Sequence, residues 1–255
     1  MTTALVTGAT AGIGAEFARQ LAARGDDLVL VARDRERLDA LAAELSAAHG
    51  VRVEVLGADL ADRAQVATVA DRLADPDNPI DLLVNNAGFG TTTTLDDPDT
   101  AQQEQALDVM AVAPMVLGAA AGAAMRARGH GRIINVASLS AWITQSGYSA
   151  VKAYTKVWSE GLAGDLAGSG VTVTTLCPGW VRTEFHQRAG MGASGIPDWV
   201  WVDAERCVRE CLAHAEAGKV LSIPTKRWKL AAFALQHAPR RAVYAISARA
   251  ARMRT

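Results

Sequence analysis

The glycine-rich stretch at residues 7–14 constrains the fold of this chain more than any other feature. It reads TGATAGIG, follows a short apolar run, and leads into a helical pattern with Ile13, Phe17 and Leu21 on one face. A strand, a glycine turn and a helix in this order form a binding site for the phosphates of a dinucleotide. The predicted contacts in this stretch are Gly8, Thr10, Ala11, Gly12, Ile13 and Gly14.

Each of the three glycines has a physical role in such a turn. Gly8 lets the chain leave the strand sharply, Gly12 removes a side chain where backbone approaches a pyrophosphate, and Gly14 allows the helix to pack closely on the strand. The free N–H groups and the positive dipole end of the helix then face the anion. The alternative is a plain turn, because loops collect glycine for many reasons.

Length and charge exclude several other classes of protein. A chain of 255 residues is enough for one α/β domain, and its net charge of −1 argues against a nucleic-acid binder.

The sequence has no basic leader or apolar signal core and only three cysteines, so we expect a cytoplasmic protein. The uncharged run at residues 109–125 is short and contains Pro114, so we expect a buried or subunit-contact helix there.

The apolar run at residues 28–31 predicts a strand covered on both faces, and Arg33 follows it closely. An arginine here suits the 2′-phosphate of NADP(H), whereas an acidic residue accepts a hydrogen bond from the ribose of NAD(H). We therefore favour NADP(H) over NAD(H). The alternative is that Asp34 caps the next helix or binds a ribose itself, with the arginines on the solvated face of that helix.

Further strands are predicted at residues 51–55, 80–84, 132–136 and 171–176, and a long helix at residues 99–128. Because the carboxyl ends of parallel strands meet at one edge of a sheet, the residues that follow them are expected to line one crevice. The predicted cofactor contacts there are Asp59, Leu60, Asn86, Ala87, Gly88, Pro178, Gly179, Val181 and Thr183. For Asp59 a helix cap is an equal alternative, and residues 85–88 are equally compatible with a simple turn.

Tyr148 and Lys152 are four residues apart in a helical stretch, so their side chains lie on one face. An ammonium beside a phenol favours the phenolate, which makes the tyrosine a better proton donor and acceptor near neutral pH. Ser138, at the end of the preceding strand, is placed to hydrogen-bond the substrate oxygen with which Tyr148 would exchange a proton. The alternative is a surface pair that arises by chance.

Together, these motifs resemble the short-chain dehydrogenase/reductase family, in the family's order and with near-family spacing over residues about 3–225. The resemblance implies one Rossmann-type domain, a doubly wound parallel sheet of about seven strands with helices on both faces. It also implies reversible hydride transfer between NAD(P)(H) and a carbonyl or alcohol, commonly in a homodimer or homotetramer. By the same resemblance Tyr148 is the acid/base, Lys152 holds the nicotinamide ribose, Ser138 positions the substrate oxygen and Thr183 touches the cofactor.

Two positions depart from the family pattern. Met110 stands where the family usually has an asparagine that supports a water-linked proton path to the lysine, and a thioether cannot replace the hydrogen bonds of an amide. The spacing from Ser138 to Tyr148 is also shorter than usual, so we expect a reshaped pocket wall. Ser140 is a second candidate for the hydroxyl role.

Residues 184–202 correspond to the family's lid over the substrate, and their apolar and aromatic content suggests a hydrophobic carbonyl compound. The alternative is that Trp199 and Trp201 only anchor the loop. We therefore expect NADPH-dependent reduction of a hydrophobic ketone or aldehyde. The rival hypothesis is a dinucleotide-binding regulator or scaffold that has lost efficient turnover.

We divide the chain into a catalytic domain at residues 1–225 and a basic helical tail at residues 226–255. An apolar stripe of Val243, Ile246, Ala250 and Met253 is predicted in this tail. The stripe is compatible with packing on the domain or a sister subunit, which is the simpler interpretation, and with weak contact to an anionic membrane. Before the tail, Cys207, Cys211 and His214 lie on one helix; we expect small buried side chains there and no metal site.

Overall fold

The computed structural model describes residues 2–183 and 197–252. Its strands are β1 (Thr3–Thr7), β2 (Asp27–Ala32), β3 (Val53–Gly57), β4 (Leu82–Asn85), β5 (Gly131–Val136), β6 (Val171–Leu176), β7 (Val181–Arg182), β8 (Val202–Asp203) and β9 (Leu221–Ser222). Its α-helices are α1 (Gly12–Ala23), α2 (Arg35–His49), α3 (Arg63–Ala74), α4 (Ala101–Leu107), α5 (Ala113–Arg128), α6 (Gly147–Asp165), α7 (Ala204–Glu216), α8 (Lys226–His237) and α9 (Arg240–Arg252).

Seven strands form one parallel sheet in the order β3-β2-β1-β4-β5-β6-β9, and β7 pairs with β8 in a small separate sheet. Parallel neighbours need crossover connections, and helices supply them on both faces of the sheet. The strand order reverses between β1 and β4, and open sheets of this type bind ligands at the carboxyl ends of the strands beside such a reversal. The predicted Rossmann-type fold is therefore confirmed.

Alternate residues of the central strands face two separate core layers. On β1, Leu5 faces the layer that contains α3 and α5, while Val6 faces the layer that contains α1 and α7. Both side chains are fully buried, as are Phe17 of α1 and Leu117 of α5. Because both faces of these strands are covered, their sequences are continuous apolar runs.

Helices α2 and α3 begin at aspartate caps. The Asp34 carboxylate accepts a hydrogen bond from the Arg37 N–H at 3.1 Å. At α3 the cap is Asp62, whose carboxylate accepts from the Ala64 N–H at 2.8 Å. The helix-cap alternative for Asp59 is therefore wrong, because Asp62 has that role.

Some strand boundaries differ from the sequence prediction. β3 lies two residues later than the predicted 51–55, and β4 begins two residues later than the predicted 80–84. The pairing of β3 with β2 extends from Val53 to Gly57. The extent of a strand thus depends on the neighbour with which it pairs, which local alternation of apolar residues does not reveal.

The helix predicted at residues 99–128 is interrupted by a π-helical turn at Asp108–Val112. Pro114 has no N–H to donate to the carbonyl of Met110, four residues earlier. The Thr155 hydroxyl of α6 donates to that carbonyl instead, at 2.8 Å. Single π-helical turns of this kind occur frequently at functional sites.

By length and composition, the helical run at residues 101–128 is able to cross a membrane, and it is the one such run in the described ranges. Half of its most apolar window is buried inside the protein. Leu117, Ala121 and Met125 of α5 pack against the sheet and are fully buried. This run is therefore a core helix, as the sequence predicted for residues 109–125.

The basic tail forms α8 and α9, which pack against the loop after β5. The Ser247 hydroxyl of α9 accepts a hydrogen bond from the Thr144 N–H at 3.0 Å. Val243 is buried, as predicted for the apolar stripe, but Ile246 is 47% exposed. The predicted stripe is therefore wrong at Ile246, because Ser247 faces the domain in its place, and Met253 lies outside the described residues.

Gly14 marks the close approach of α1 to the end of β1. A Cβ at Gly14 would overlap the Gly8 carbonyl oxygen and the Asn86 side-chain nitrogen. We expect Gly14→Ala to lower the free energy of unfolding by roughly 3 kcal/mol or more, because backbone cannot move aside as a flexible side chain does. Urea unfolding monitored by circular dichroism measures this loss.

The matched control is Gly161→Ala in α6, where an added Cβ meets nothing within 4 Å. This variant should raise the free energy of unfolding by roughly 0.5–1 kcal/mol, because alanine loses less backbone entropy in a helix than glycine. Equal effects of the two substitutions would contradict the close approach at Gly14.

Candidate active site

The turn between β1 and α1 has the geometry of a phosphate cradle. Gly8 and Gly12 have φ values of 65° and 55°, which residues with a Cβ rarely adopt. A Cβ on Gly8 would lie 2.8 Å from the Ala87 Cα, and one on Gly12 would lie 3.2 Å from the Thr183 Cβ. α1 begins after Ala11 without a side-chain cap, which leaves its first N–H groups to an anion. These features fit the pyrophosphate of a dinucleotide.

Asn86 fixes the opposite side of this cradle. Its side-chain nitrogen donates to the carbonyls of Thr7 at 3.0 Å and Gly8 at 3.3 Å. The backbone N–H groups of Asn86 and Ala87 both donate to the Thr7 hydroxyl, at 2.9 and 3.1 Å. The amide side chain therefore bonds backbone across the sheet, as the sequence predicted.

A pocket of about 470 Å³ opens beside the ends of β2 and β3. Its lining residues are Arg33, Arg35, Val55, Leu56, Gly57, Ala58, Asp59 and Gln65. The Asp34 carboxylate is occupied as the cap of α2, whereas Arg33 faces the pocket. The Asp59 carboxylate accepts from the Ala61 N–H at 3.0 Å, which holds it at the pocket edge. The lining thus offers a guanidinium for a phosphate and a carboxylate for an adenine amino group.

Three predicted cofactor contacts have side chains directed into the core. Leu60 is buried in the layer that contains α3 and α5, Val181 is buried in the layer that contains α1 and α7, and Ile13 packs against this second layer from a partly buried position. Leu60 and Val181 therefore offer a cofactor mainly their backbone. Thr10 is half-buried in the glycine turn.

Tyr148 and Lys152 lie one turn apart at the start of α6, and both are buried. The Lys152 Nζ is 5.7 Å from the centre of the Tyr148 ring and donates to the Val136 carbonyl at 2.8 Å. Val136 ends β5 two residues before Ser138. This hydrogen bond therefore brings the predicted catalytic residues to the same strand end.

Burial controls the protonation of the groups under this site. It lowers the pKa of Lys152 from 10.5 to about 8, because the ammonium is removed from water. Burial also raises the pKa of the neighbouring Cys177 to about 12, so this cysteine remains a neutral thiol. With little water to screen it, a protonated Lys152 favours the phenolate of Tyr148 more strongly than an exposed lysine would.

A buried chain of hydrogen bonds fixes α6 on the sheet. The Asn85 amide donates to the Asn135 side-chain oxygen at 2.9 Å, and the Asn135 amide donates to the Ser159 hydroxyl at 2.9 Å. The Ser159 hydroxyl in turn donates to the Thr155 carbonyl at 2.6 Å. This network holds the helix that carries Tyr148 and Lys152 in a fixed position.

The Ser138 hydroxyl accepts a hydrogen bond from the Ser140 N–H at 3.1 Å. As an acceptor in this bond, the hydroxyl keeps its own proton for donation to a substrate oxygen. Ser140, the second candidate for the hydroxyl role, lies in a short 3₁₀ helix at Leu139–Trp142 and uses its backbone to orient Ser138.

The side chains of Met110 and Lys152 both approach Gly88. A Cβ on Gly88 would lie 2.9 Å from the Met110 Sδ and 3.6 Å from the Lys152 Nζ. The Met110 carbonyl already accepts from the Thr155 hydroxyl. The Met110 thioether, which donates no hydrogen bond, therefore lies close to Gly88 and Lys152.

The sequence analysis missed Trp228 of α8. The indole lies on Gly179, where an added Cβ would approach the Trp228 Nε1 to 2.5 Å. This Nε1 is buried and has no hydrogen-bond partner in the described part of the chain. The available signal was a tryptophan close after the last strand in an otherwise basic segment, and the contact with Gly179 needs the fold.

Of the predicted lid, residues 184–196 lie outside the described residues. Trp201 packs edge-on against Trp180 with 5.6 Å between ring centroids, and the Arg182 guanidinium lies 5.5 Å from the centre of the Trp201 ring. Trp199 is 69% exposed. Trp201 therefore anchors the end of this loop, whereas Trp199 faces solvent.

The cysteines of α7 are small buried side chains. Cys207 and Cys211 are fully buried, and burial raises the pKa of the Cys211 thiol to about 12. His214 bonds the Ser222 hydroxyl at 2.9 Å. Over residues 2–183 and 197–252, no three His, Cys, Asp or Glu side chains form a group suited to a metal ion.

Comparison with known families identifies the class of protein to which this fold and site belong. Residues 2–192 match the family described as short chain dehydrogenase. This match covers most of the 255 residues, and the chain belongs to that family. It is an NAD(P)-dependent oxidoreductase that acts on alcohol and carbonyl groups.

Several relatives cover most of the chain. Galactitol 2-dehydrogenase (L-tagatose-forming) of Cereibacter sphaeroides is 38% identical over 186 residues, which cover 71% of this chain and 72% of that protein. A short-chain dehydrogenase from Sphingobium yanoikuyae in complex with NADPH has a TM-score of 0.84 at 36% identity, covering 92% of this chain and 94% of that one. A bulky-bulky ketone specific alcohol dehydrogenase from Comamonas testosteroni has a TM-score of 0.80 at 30% identity, covering 94% and 98%.

The buried Lys152 makes the stability of the cofactor-free protein depend on pH. Its pKa is about 8 in the folded protein against 10.5 ordinarily. The penalty for burying the charge is therefore complete below pH 8 and disappears as the pH rises toward 10.5. Relative to Lys152→Met, the natural protein should gain about 2 kcal/mol between pH 7 and pH 9.5. Urea unfolding at both pH values measures this gain, and an identical pH dependence of the two proteins would refute it.

Proposed function

We propose that this protein reduces a hydrophobic ketone or aldehyde to an alcohol with NADPH. The observation that carries the proposal is the buried Tyr148 and Lys152 pair, which the Val136 carbonyl ties to the strand end where Ser138 lies. Tyr148 is the general acid and gives its phenolic proton to the substrate oxygen. When bound, NADPH supplies the hydride.

The other residues orient and tune this proton transfer. Ser138 donates its hydroxyl proton to the same substrate oxygen, which fixes the distance between that oxygen and Tyr148. Lys152 binds the nicotinamide ribose and lowers the pKa of Tyr148 by its positive charge. Thr183 touches the carboxamide or phosphate region of the cofactor, and its position beside Gly12 of the phosphate cradle supports this role. The backbone of residues 178–181 lies next to it in sequence and contributes further cofactor contacts.

The preference for NADP(H) over NAD(H) rests on Arg33. The residue lines the pocket at the adenosine end, and the nearby acidic side chain, Asp34, is occupied as a helix cap. A guanidinium binds a 2′-phosphate through charge-assisted hydrogen bonds. The Sphingobium yanoikuyae relative, solved with NADPH, supports the same preference.

The hydrophobic substrate class rests on the side chains near the predicted site. Phe89 packs in a cluster with Tyr148, while Trp142 and Trp228 each pack against the buried cluster that contains Leu139, next to Ser138 in sequence. The Comamonas testosteroni relative is specific for bulky-bulky ketones, whereas the Cereibacter sphaeroides relative acts on galactitol. Polyols therefore belong in the substrate panel as the competing class.

We further propose a cytoplasmic homodimer or homotetramer. The outer faces of α4 and α6 expose large apolar side chains, with Leu107 at 47% and Val157 at 65% exposure. Such side chains are typical of an interface between copies. The three cysteines are all free and buried, which suits a reducing compartment.

The rival function is a dinucleotide-binding regulator with little turnover, and Met110 beside Lys152 favours it. The buried Tyr148 and Lys152 pair argues against it, because a binding protein gains nothing from burying an ammonium. If NADPH binds but no substrate turns over, Met110→Asn tests whether the methionine is the cause.

Removal of the Tyr148 hydroxyl should separate catalysis from binding. We expect Tyr148→Phe to lower kcat by at least about a hundredfold, because the general acid is lost. The dissociation constant for NADPH should change less than about threefold. NADPH oxidation across hydrophobic ketones, aldehydes, steroids, 3-ketoacyl thioesters and polyols measures turnover.

The matched control is Tyr154→Phe on the same helix, where the Tyr154 side chain is 40% exposed. Turnover that is retained in Tyr148→Phe would assign the general acid to another residue.

A charge reversal at Arg33 should change the preferred cofactor. We expect Arg33→Asp to lower the ratio of kcat/KM for NADPH to that for NADH by roughly ten- to a hundredfold, because a carboxylate repels the 2′-phosphate. Arg37→Asp is the control, since Arg37 is exposed on α2 away from the pocket lining. Equal ratios in the two variants would exclude Arg33 as the phosphate partner.

A further inference from the structure

Charge is unevenly distributed along this chain. Residues 226–255 contain eight lysines and arginines and no aspartate or glutamate. Since the whole chain has a net charge of −1, the preceding 225 residues carry −9 and the tail carries +8. The side chains of Lys226 and Lys229 on α8, and of Arg240 and Arg241 on α9, are exposed. The tail is therefore a strongly basic segment of an otherwise acidic protein.

The two helices of the tail also expose large apolar side chains. Leu230 and Phe233 of α8 are 70% and 61% exposed, and Tyr244 of α9 is 50% exposed. Leu230 and Phe233 are three residues apart, so they lie on one face of α8 beside its lysines. The opposite face of α8, which carries Ala232, packs on the domain. A helix fixed on one side, with apolar and cationic residues on the other, has the composition of an interfacial membrane helix.

Charge complementarity distinguishes the possible occupants of this surface. The interface between copies is proposed above on α4 and α6, where Leu107 and Val157 are exposed, so it does not require this face of α8. A nucleic acid would pair with the cations but leave Leu230 and Phe233 in contact with phosphates and water. The surface of an anionic bilayer accepts both groups, the cations at its headgroups and the apolar side chains at the acyl boundary.

We propose that α8 and α9 dock this protein on anionic lipid bilayers, with Leu230 and Phe233 inserted and the surrounding lysines and arginines on the headgroups. The docking surface is separate from the residues assigned to hydride transfer, and its occupancy does not depend on the identity of the substrate.

Co-sedimentation of the full chain with vesicles tests the proposal. Vesicles of equal parts phosphatidylglycerol and phosphatidylcholine should bind the protein, and vesicles of phosphatidylcholine alone should not. Leu230→Ser combined with Phe233→Ser should lower the partition coefficient by about tenfold or more. Lys226→Gln combined with Lys229→Gln should lower it by about twenty-five-fold, at roughly fivefold per charge.

Matched controls use equally exposed residues elsewhere. Leu95 is 64% exposed in the loop before α4, and Lys219 is exposed before β9. Leu95→Ser and Lys219→Gln should bind vesicles as the natural protein does, and circular dichroism should show that all variants are folded. Absence of binding to the phosphatidylglycerol vesicles overturns the proposal. So does unchanged binding in both double variants, or a fall in oligomeric mass in Leu230→Ser/Phe233→Ser by light scattering, which would assign the surface to a second copy.

Discussion

The close approach between the end of β1 and the first turn of α1 is the constraint on which the rest of this structure depends. Gly14 lies directly on the Gly8 carbonyl, with the Asn86 amide bonded in the same place. There is no room for a Cβ, so the first turn of α1 and the residue that follows β4 meet the end of β1 through backbone and one amide. Thr183 lies against Gly12 of the same glycine turn, which brings its loop to the same place.

A second constraint is the burial of Lys152. It lowers the stability of the folded protein and strengthens the electrostatic effect of the ammonium on Tyr148. An ammonium removed from water is destabilised, and here the Val136 carbonyl is its hydrogen-bond acceptor in the described structure. The chain of hydrogen bonds through Asn135 and Ser159 keeps α6 from moving to solvate the charge. Strain of this kind is typical of functional sites, where local stability is given up for an electrostatic effect on a neighbouring group.

Much of the fold and part of the site could be predicted from sequence because the signals are local. Apolar runs that cover both faces of a strand, the glycines of the first turn, and the four-residue spacing of Tyr148 and Lys152 all act within a few residues. The π-helical turn at Asp108–Val112 was not predicted because its partner is distant: Pro114 leaves the Met110 carbonyl to Thr155 of α6. The cap of α3 is a local feature, and the error there concerned the residue at which the helix begins, since Asp62 rather than Asp59 caps it.

By itself the sequence determined the order of the strands along the chain and the type of residue at each strand end, because these follow from periodicity and backbone sterics. The class of fold followed from the resemblance of its motifs to those of one family. Only the tertiary structure decided which of these residues meet. The packing of α8 brings Trp228 onto Gly179, and the packing of α9 turns Ile246 to solvent. The packing of the helical run that includes α5 brings Met110 close to Gly88 and Lys152. Packing is a property of the whole folded chain, so no local pattern contains it.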